Sequence, residues 1–281
     1  SLFIFLLMPQ PMMNRRTFLL SAGAGGLGIA GLRYWPDQGI WNPCDTTPMP
    51  DELLHHELVQ TAWADIDPAR VWDCHVHLIG MGDSDSGIWL NPDMQTLAHP
   101  IQFSQLKFYL NAACVEDSEN VDQAYVERLL SLRKDYPSGS RLMLLAFDYH
   151  YNEKGERLVE LSPFHTPNEY AWHMARKYPQ DFEWIASIHP YREDCVEALE
   201  WSAQRGARAV KWLPPAMGMD PSSSLCDRFY DAMVRLKIPL LTHAGDEHAV
   251  DGEGAQLLGN PLLLRRALDR GVRVVVAHCA S

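Results

Sequence analysis

The chain has 281 residues, 47% hydrophobic and 21% charged, a balance that fits a folded globular body and excludes disordered, collagenous and coiled-coil descriptions. With 36 acidic against 24 basic residues the net charge is −12, which opposes general affinity for nucleic acid or anionic lipid and favours small-molecule partners. One large domain is expected, since α/β barrels take this much sequence as a single unit. The six cysteines show no C-x-x-C spacing, so neither a zinc ribbon nor a thioredoxin-type site is indicated. Cys74 and Cys279 lie in apolar runs and read as small buried hydrophobes.

Near the N-terminus, Arg15 and Arg16 precede a short Gly-rich apolar stretch from Thr17 to Ala30. The pattern resembles a twin-arginine export signal, which implies passage through the twin-arginine machinery to the periplasm or the extracellular space. The stretch is shorter than the roughly 20 apolar residues that span a bilayer, so no stable membrane anchor is expected. Residues 1–31 therefore read as signal and leader, with Met12 or Met13 a start site, and the Pro- and Gly-containing residues 32–50 as a linker. Gly23, Gly25 and Gly28 also match G-x-G-x-x-G, but no βαβ unit surrounds them, and the dinucleotide reading is set aside.

The folded body, 51–281, alternates short apolar runs with longer segments of helical period, the signature of repeated β-α units. Six strands are predicted: Val71–His77, Arg141–Tyr149, Glu183–His189, Ala207–Trp212, Pro239–His243 and Val272–His278. Their continuous apolar character suits a parallel sheet buried on both faces. Helices are predicted near Val121–Lys134, Asn168–Tyr178, Asp194–Arg205 and Pro261–Asp269, with Gly206 and Gly271 at helix ends. An insertion around Gly82–Pro100 is placed over the site. The expected fold is α/β, a TIM-like (β/α)8 barrel with about six of its eight strands present. Two further units would follow His278, and Ser stands at position 1, so the sequence reads as a fragment.

Asp73-Cys74-His75-Val76-His77 closes the first predicted strand, and the two-residue period points His75 and His77 to one face. With 12 histidines in the chain, an H-x-H arises by chance on the order of once in every two such chains, so context carries the argument. His243 and His278 also end predicted strands, on the face where barrel active sites form. Four histidines thus converge on one rim.

On these residues the chain resembles the amidohydrolase superfamily, in its mostly mononuclear hydrolase and decarboxylase branch, over roughly Val71 to His278. The resemblance implies that His75, His77 and His243 are metal ligands and that His278 is a catalytic assistant or extra ligand. An aspartate on the barrel's last strand, which completes such sites, has no counterpart in this sequence. Lys211 occupies the place where some binuclear relatives bridge two metals through a carboxylated lysine. In the mononuclear branch it is assigned to substrate contact.

Neutral imidazoles with one carboxylate suit Zn²⁺, with Mn²⁺ or Fe²⁺ compatible. One divalent ion is expected, supplying a hydroxide at neutral pH and polarising a carbonyl oxygen. His189 and Arg192, past the third predicted strand, are candidates for lining the substrate pocket, and Arg192 for clamping a carboxylate. Asp73 is a candidate for orienting a ligand. The function expected is hydrolysis of C–N or C–O bonds in a small carbonyl compound. A decarboxylase or hydratase on the same barrel and an inactive exported binding protein are the alternatives, and a homo-oligomer is compatible with each.

Overall fold

The computed structural model describes residues 44, 48–116, 118–245 and 255–280. The chain divides into two units, Ser1–Pro43 and Cys44–Ser281, and all described residues belong to the second. The signal reading of residues 1–31, the linker apart from Cys44 and Pro48–Pro50, and Asp246, Glu247 and His248 lie outside the described residues.

Eight strands are seen among the described residues: β1 Trp72–His77, β2 Trp89–Leu90, β3 Arg141–Leu145, β4 Phe164–His165, β5 Phe182–Ile185, β6 Val210–Trp212, β7 Leu240–Thr242 and β8 Val274–Val276. Six of them match the predicted strands and pair in parallel, in the orders β1-β3-β5 and β6-β7-β8. A parallel bridge from Ala186 to Val210 links the two sets, with the Arg208 N–H on Trp184 O at 3.0 Å and the Lys211 N–H on Ala186 O at 2.7 Å. The exceptions, β2 and β4, form an antiparallel pair, Trp89 beside His165 and Leu90 beside Phe164; only β2 falls in the expected insertion, Gly82–Pro100.

The strands stop earlier than the apolar runs suggest. Past β3 and β5 the backbone N–H groups turn to side chains: Asp148 N donates to Ser187 Oγ, His150 N to Ser162 Oγ and Ser187 N to Asn168 Oδ1. After β8 the chain enters a 3₁₀ turn, Ala277–Ala280, in which His278 has φ +55°.

The helices are α1 Asp51–Leu54, α2 Glu57–Trp63, α3 Pro100–Ala112, α4 Val121–Arg133, α5 Asn168–Lys177, α6 Cys195–Gln204, α7 Pro214–Met217, α8 Asp227–Leu236 and α9 Arg265–Asp269. Among the described residues no helix is long and apolar enough to cross a membrane. Gly206 and Gly271, with φ of +80° and +88°, end α6 and α9 in the left-handed conformation that glycine adopts without a Cβ penalty. Sequence reading did not anticipate α3 and α8. Even so, α8 buries Phe229, Tyr230, Ala232 and Met233.

Side-chain alternation separates two cores. Leu142 and Leu144 of β3, Phe182 and Trp184 of β5, and Val210 and Trp212 of β6 face the helices in the main cluster. Met143, Leu145, Ile185, Ala209, Leu241 and Ala277 form a smaller cluster with Trp72 on the other face. That residues of β1, β3, β5 and β7 meet on this second face with Ala209 and Ala277, which flank β6 and β8, means that the sheet is curled, with this face concave. Below it, Glu183 holds Arg208 at 2.9 Å and also pairs with Arg141. Burial raises the Glu183 pKa, but the two guanidinium groups outweigh it and hold the carboxyl below its ordinary range.

The segment after β1 is locked to α4 by two carboxylates acting in opposite directions. Asp83 accepts the Val121 and Asp122 N–H groups at 2.7 and 3.0 Å, placing an anion at the helix N-terminus where unpaired donors and the dipole favour it. Asp122, fully buried, accepts from Met81 N, Gly82 N, Ser84 Oγ and Ser86 Oγ at 2.5–3.0 Å. A Cβ at Gly80 would overlap that carboxylate.

Burial pushes the Asp122 pKa up, but the bonds from Ser86, Gly82, Met81 and Ser84 outweigh it, and the net shift is downward. The carboxylate therefore stabilises the fold above its unfolded pKa near 3.8, and the contribution is lost as pH falls through the lower folded value. Asp122→Ala is expected to cost about 2–4 kcal/mol and to remove that acid-side loss. Urea melts of both proteins between pH 2 and 7 check this, and equal pH slopes would contradict it.

Candidate functional site

The site begins with an irregularity in β1. Trp72 and Asp73 pair with Arg141 and Leu142, while Val76 and His77 pair with Leu144 and Leu145. Two residues, Cys74 and His75, therefore oppose the single Met143, a β-bulge that re-aims side chains. Where the ladder is interrupted, Asp73 Oδ1 accepts the His75 N–H at 3.1 Å. Asp73 thus engages the backbone of His75. Cys74 is exposed, contrary to the expectation of burial, because β1 pairs only with β3 among the described residues and lacks cover there. The Cys279 side chain lies outside the described ones.

Beyond the bulge, the Tyr125 hydroxyl donates to His77 O at 2.7 Å and Thr166 Oγ1 to Leu78 O at 2.8 Å. These two bonds from distant elements hold the exit of the strand. The structure brings the histidines together: ring centroids of His75 and His77 are 5.2 Å apart, those of His75 and His278 4.6 Å, and those of His243 and His278 5.5 Å. On β6, Val210 and Trp212 turn to the helices, so Lys211 faces the concave side and brings Nζ to 3.5 Å from His75 Nε2.

Burial, then the Lys211, His278 and His243 charges, lower the His75 pKa to about 4 against an opposing pull from Asp73. Burial, Lys211, His75 and His278 lower that of His77 to about 3. Both rings are therefore neutral near pH 7, the form in which an imidazole nitrogen donates to a cation. His278 is exposed and His243 buried. Among the described residues no three His, Cys, Asp or Glu side chains are grouped so as to hold a metal ion. The fit to a cation is therefore one of donor chemistry: several imidazoles on one rim, two of them held neutral.

The two other candidates are drawn elsewhere. His189 is fully buried; its Nδ1 accepts the Tyr191 N–H at 3.1 Å and its Nε2 lies 2.9 Å from Met217 O. Both ring nitrogens are engaged by backbone, and burial takes the pKa to about 3. Arg192 donates through Nε and Nη2 to Asp194 at 2.9 and 2.7 Å and through Nη1 to Asp148 at 2.9 Å. The edge proposed for a substrate carboxylate thus already carries one of the chain's own. Asp148, 2% exposed, also accepts the His189 and Tyr149 N–H groups. Tyr125 and Thr166 emerge only here, because their partners lie 48 and 88 positions away.

The parallel α/β sheets thus bring four histidines together near the C-terminal ends of their strands, the end of such a fold where sites form. Residues 72–281 match the amidohydrolase family, and the chain belongs to it. No curated protein matches the chain. Among solved structures it is similar to a Pseudomonas putida protein assigned as a 2-pyrone-4,6-dicarboxylic acid hydrolase (TM-score 0.41, 15% identity, covering 73% of this chain and 55% of that one). An Acinetobacter baumannii protein assigned to the same activity, with citric acid bound, gives a TM-score of 0.42 at 14% identity over 75% and 58% of the two chains. A protein described as amidohydrolase II gives 0.37 at 17% identity over 71% and 60%. The chain therefore spans less than two-thirds of the length of these structures.

Removing Asp148 would leave Arg192 with Asp194 alone and the buried His189 N–H without its acceptor. Asp148→Ala is expected to destabilise the protein by about 1–3 kcal/mol while leaving its metal content unchanged. Denaturant melts and metal analysis of the same preparation check both halves.

Proposed function

We propose that the chain is a metal-dependent hydrolase of C–N or C–O bonds in a small carbonyl compound. The observation that carries this reading is the contiguous set of His75, His77, His278 and His243 with Lys211 beside it, at the C-terminal ends of parallel strands. His75, His77 and His243 would hold one divalent ion, Zn²⁺ first by the preference of neutral imidazoles. When bound, such an ion polarises a carbonyl oxygen and acidifies water.

The chain's own residues supply the rest. Leu145, Ile185 and Leu241 floor the concave face, and a dry floor strengthens every electrostatic contact above it. Lys211, 2% exposed, would donate through Nζ to a substrate oxygen. His278 alone of the four rings is exposed, so it would take up a proton at the reacting group and pass it to solvent. Arg192 and His189 hold the loops rather than the substrate. Closure of the sheet into eight strands belongs to the same reading, as does export through Arg15 and Arg16.

The full chain is expected to bind about one equivalent of Zn²⁺ or Mn²⁺, and His75→Asn with His77→Asn to abolish it, as metal analysis and calorimetry read out. Binding that survives both substitutions overturns the assignment. Amides, esters and lactones screened for hydrolysis, against carboxylic acids screened for CO₂ release, separate hydrolase from decarboxylase. Expressed in a bacterium with twin-arginine transport, the chain is expected in the periplasm, and Arg15→Lys with Arg16→Lys to retain it in the cytoplasm; fractionation checks this.

A further inference from the structure

A cavity of about 450 Å³ lies beside the histidine rim, between the segment after β1, α3 and α4. His77 and Ile88 line one side, Leu106 and Leu110 of α3 another, and Leu129 of α4 with Phe164 of β4 the rest. The cavity lies where the main core, through Ile88 and Leu129, meets a second one. Met94, Leu106, Leu110, Val115 and Val121 form a separate small core of their own, and the Asp83 and Asp122 bonds to the loop and to α4 fix the wall opposite.

Two polar groups on the lining are already engaged by backbone carbonyls, Tyr125 at His77 O and Thr166 at Leu78 O. Along α4 the lining residues are Tyr125, Arg128, Leu129 and Leu132, one stripe at helical spacing. The stripe starts at the carbonyl of His77 and ends at Leu132, which is 40% exposed. The cavity thus runs from solvent to a proposed metal ligand. Its volume is about three times the ~150 Å³ that accepts a benzene ring and falls in the range of small-molecule pockets.

We propose that this cavity seats the apolar body of the substrate, an aryl or branched alkyl group of about two rings, with the attached carbonyl presented to the histidine rim. The placement of the carbonyl rests on the hydrolytic reading; the seating of the apolar body does not. Small acyl compounds without such a body are then poor ligands, because the contacts that orient the reacting group are missing.

The test is calorimetric titration of the full chain with 1-naphthamide and with acetamide, which share the reacting group and differ in the apolar body. 1-Naphthamide is expected to bind at least about tenfold more tightly. Leu110→Trp, which fills the cavity, should abolish that preference without lowering the melting temperature, and Leu106→Ala should shift it toward a three-ring amide. Equal binding of the two amides by the unaltered protein overturns the proposal. So does a preference that persists in folded Leu110→Trp, or, should that variant not fold, the absence of a shift in Leu106→Ala. His243→Asn, off the cavity wall, separates the two readings: it is expected to keep the naphthamide preference even where metal binding fails.

Discussion

Parallel pairing of β6, β7 and β8 is the constraint on which the site depends. Lys211 sits beside Leu241, and Thr242 beside Val276, so one register fixes how far each strand runs before its rim residue emerges. Parallel strands send all their C-termini to one end, and the two-residue period then decides which side chains face the concave side. Lys211 is there because Val210 and Trp212 are needed in the helix-facing core. Its approach to His75, carried by the first strand, together with the His75–His278 contact, shows how far the sheet has curled.

Charge is handled differently inside the scaffold and at the rim. Glu183 between Arg141 and Arg208, Asp148 with Arg192, and Asp122 among four donors each have their charge matched by partners, as burial of an ion requires. His75 and His77 on the rim are instead kept uncharged, by burial and by the Lys211 cation. The scaffold thus meets the desolvation cost with ion pairs and hydrogen bonds, while His75 and His77 lower it by staying neutral.

The bulge in β1 and the Asp83–Asp122 exchange act on the same few residues from two sides. One sets the backbone from which His75 projects; the other fixes the loop that leaves His77 and borders the apolar cavity. A displacement of α4 would move both the Tyr125 anchor on His77 and the lining carried by Leu129. Pocket shape and the position of His77 are therefore mechanically linked through one helix.

Strand period and strand ends are local properties, so His75, His77, Lys211, His243 and His278 could be placed on one rim from the order of residues alone, along with the six parallel strands and the glycine ends of two helices. Contacts between distant elements are not local. His189 and Arg192 stand after a strand just as the rim histidines do, yet Met217, Asp148 and Asp194 draw them into the scaffold, and no spacing in the sequence announces those partners. The bulge, the β2–β4 pair, helices α3 and α8 and the cavity beside His77 were decided in the same way. The sequence by itself determined which residues alternate toward a common face; the tertiary structure decided which of the candidates were drawn into the scaffold, because that depends on neighbours brought in from as far as 44 positions away.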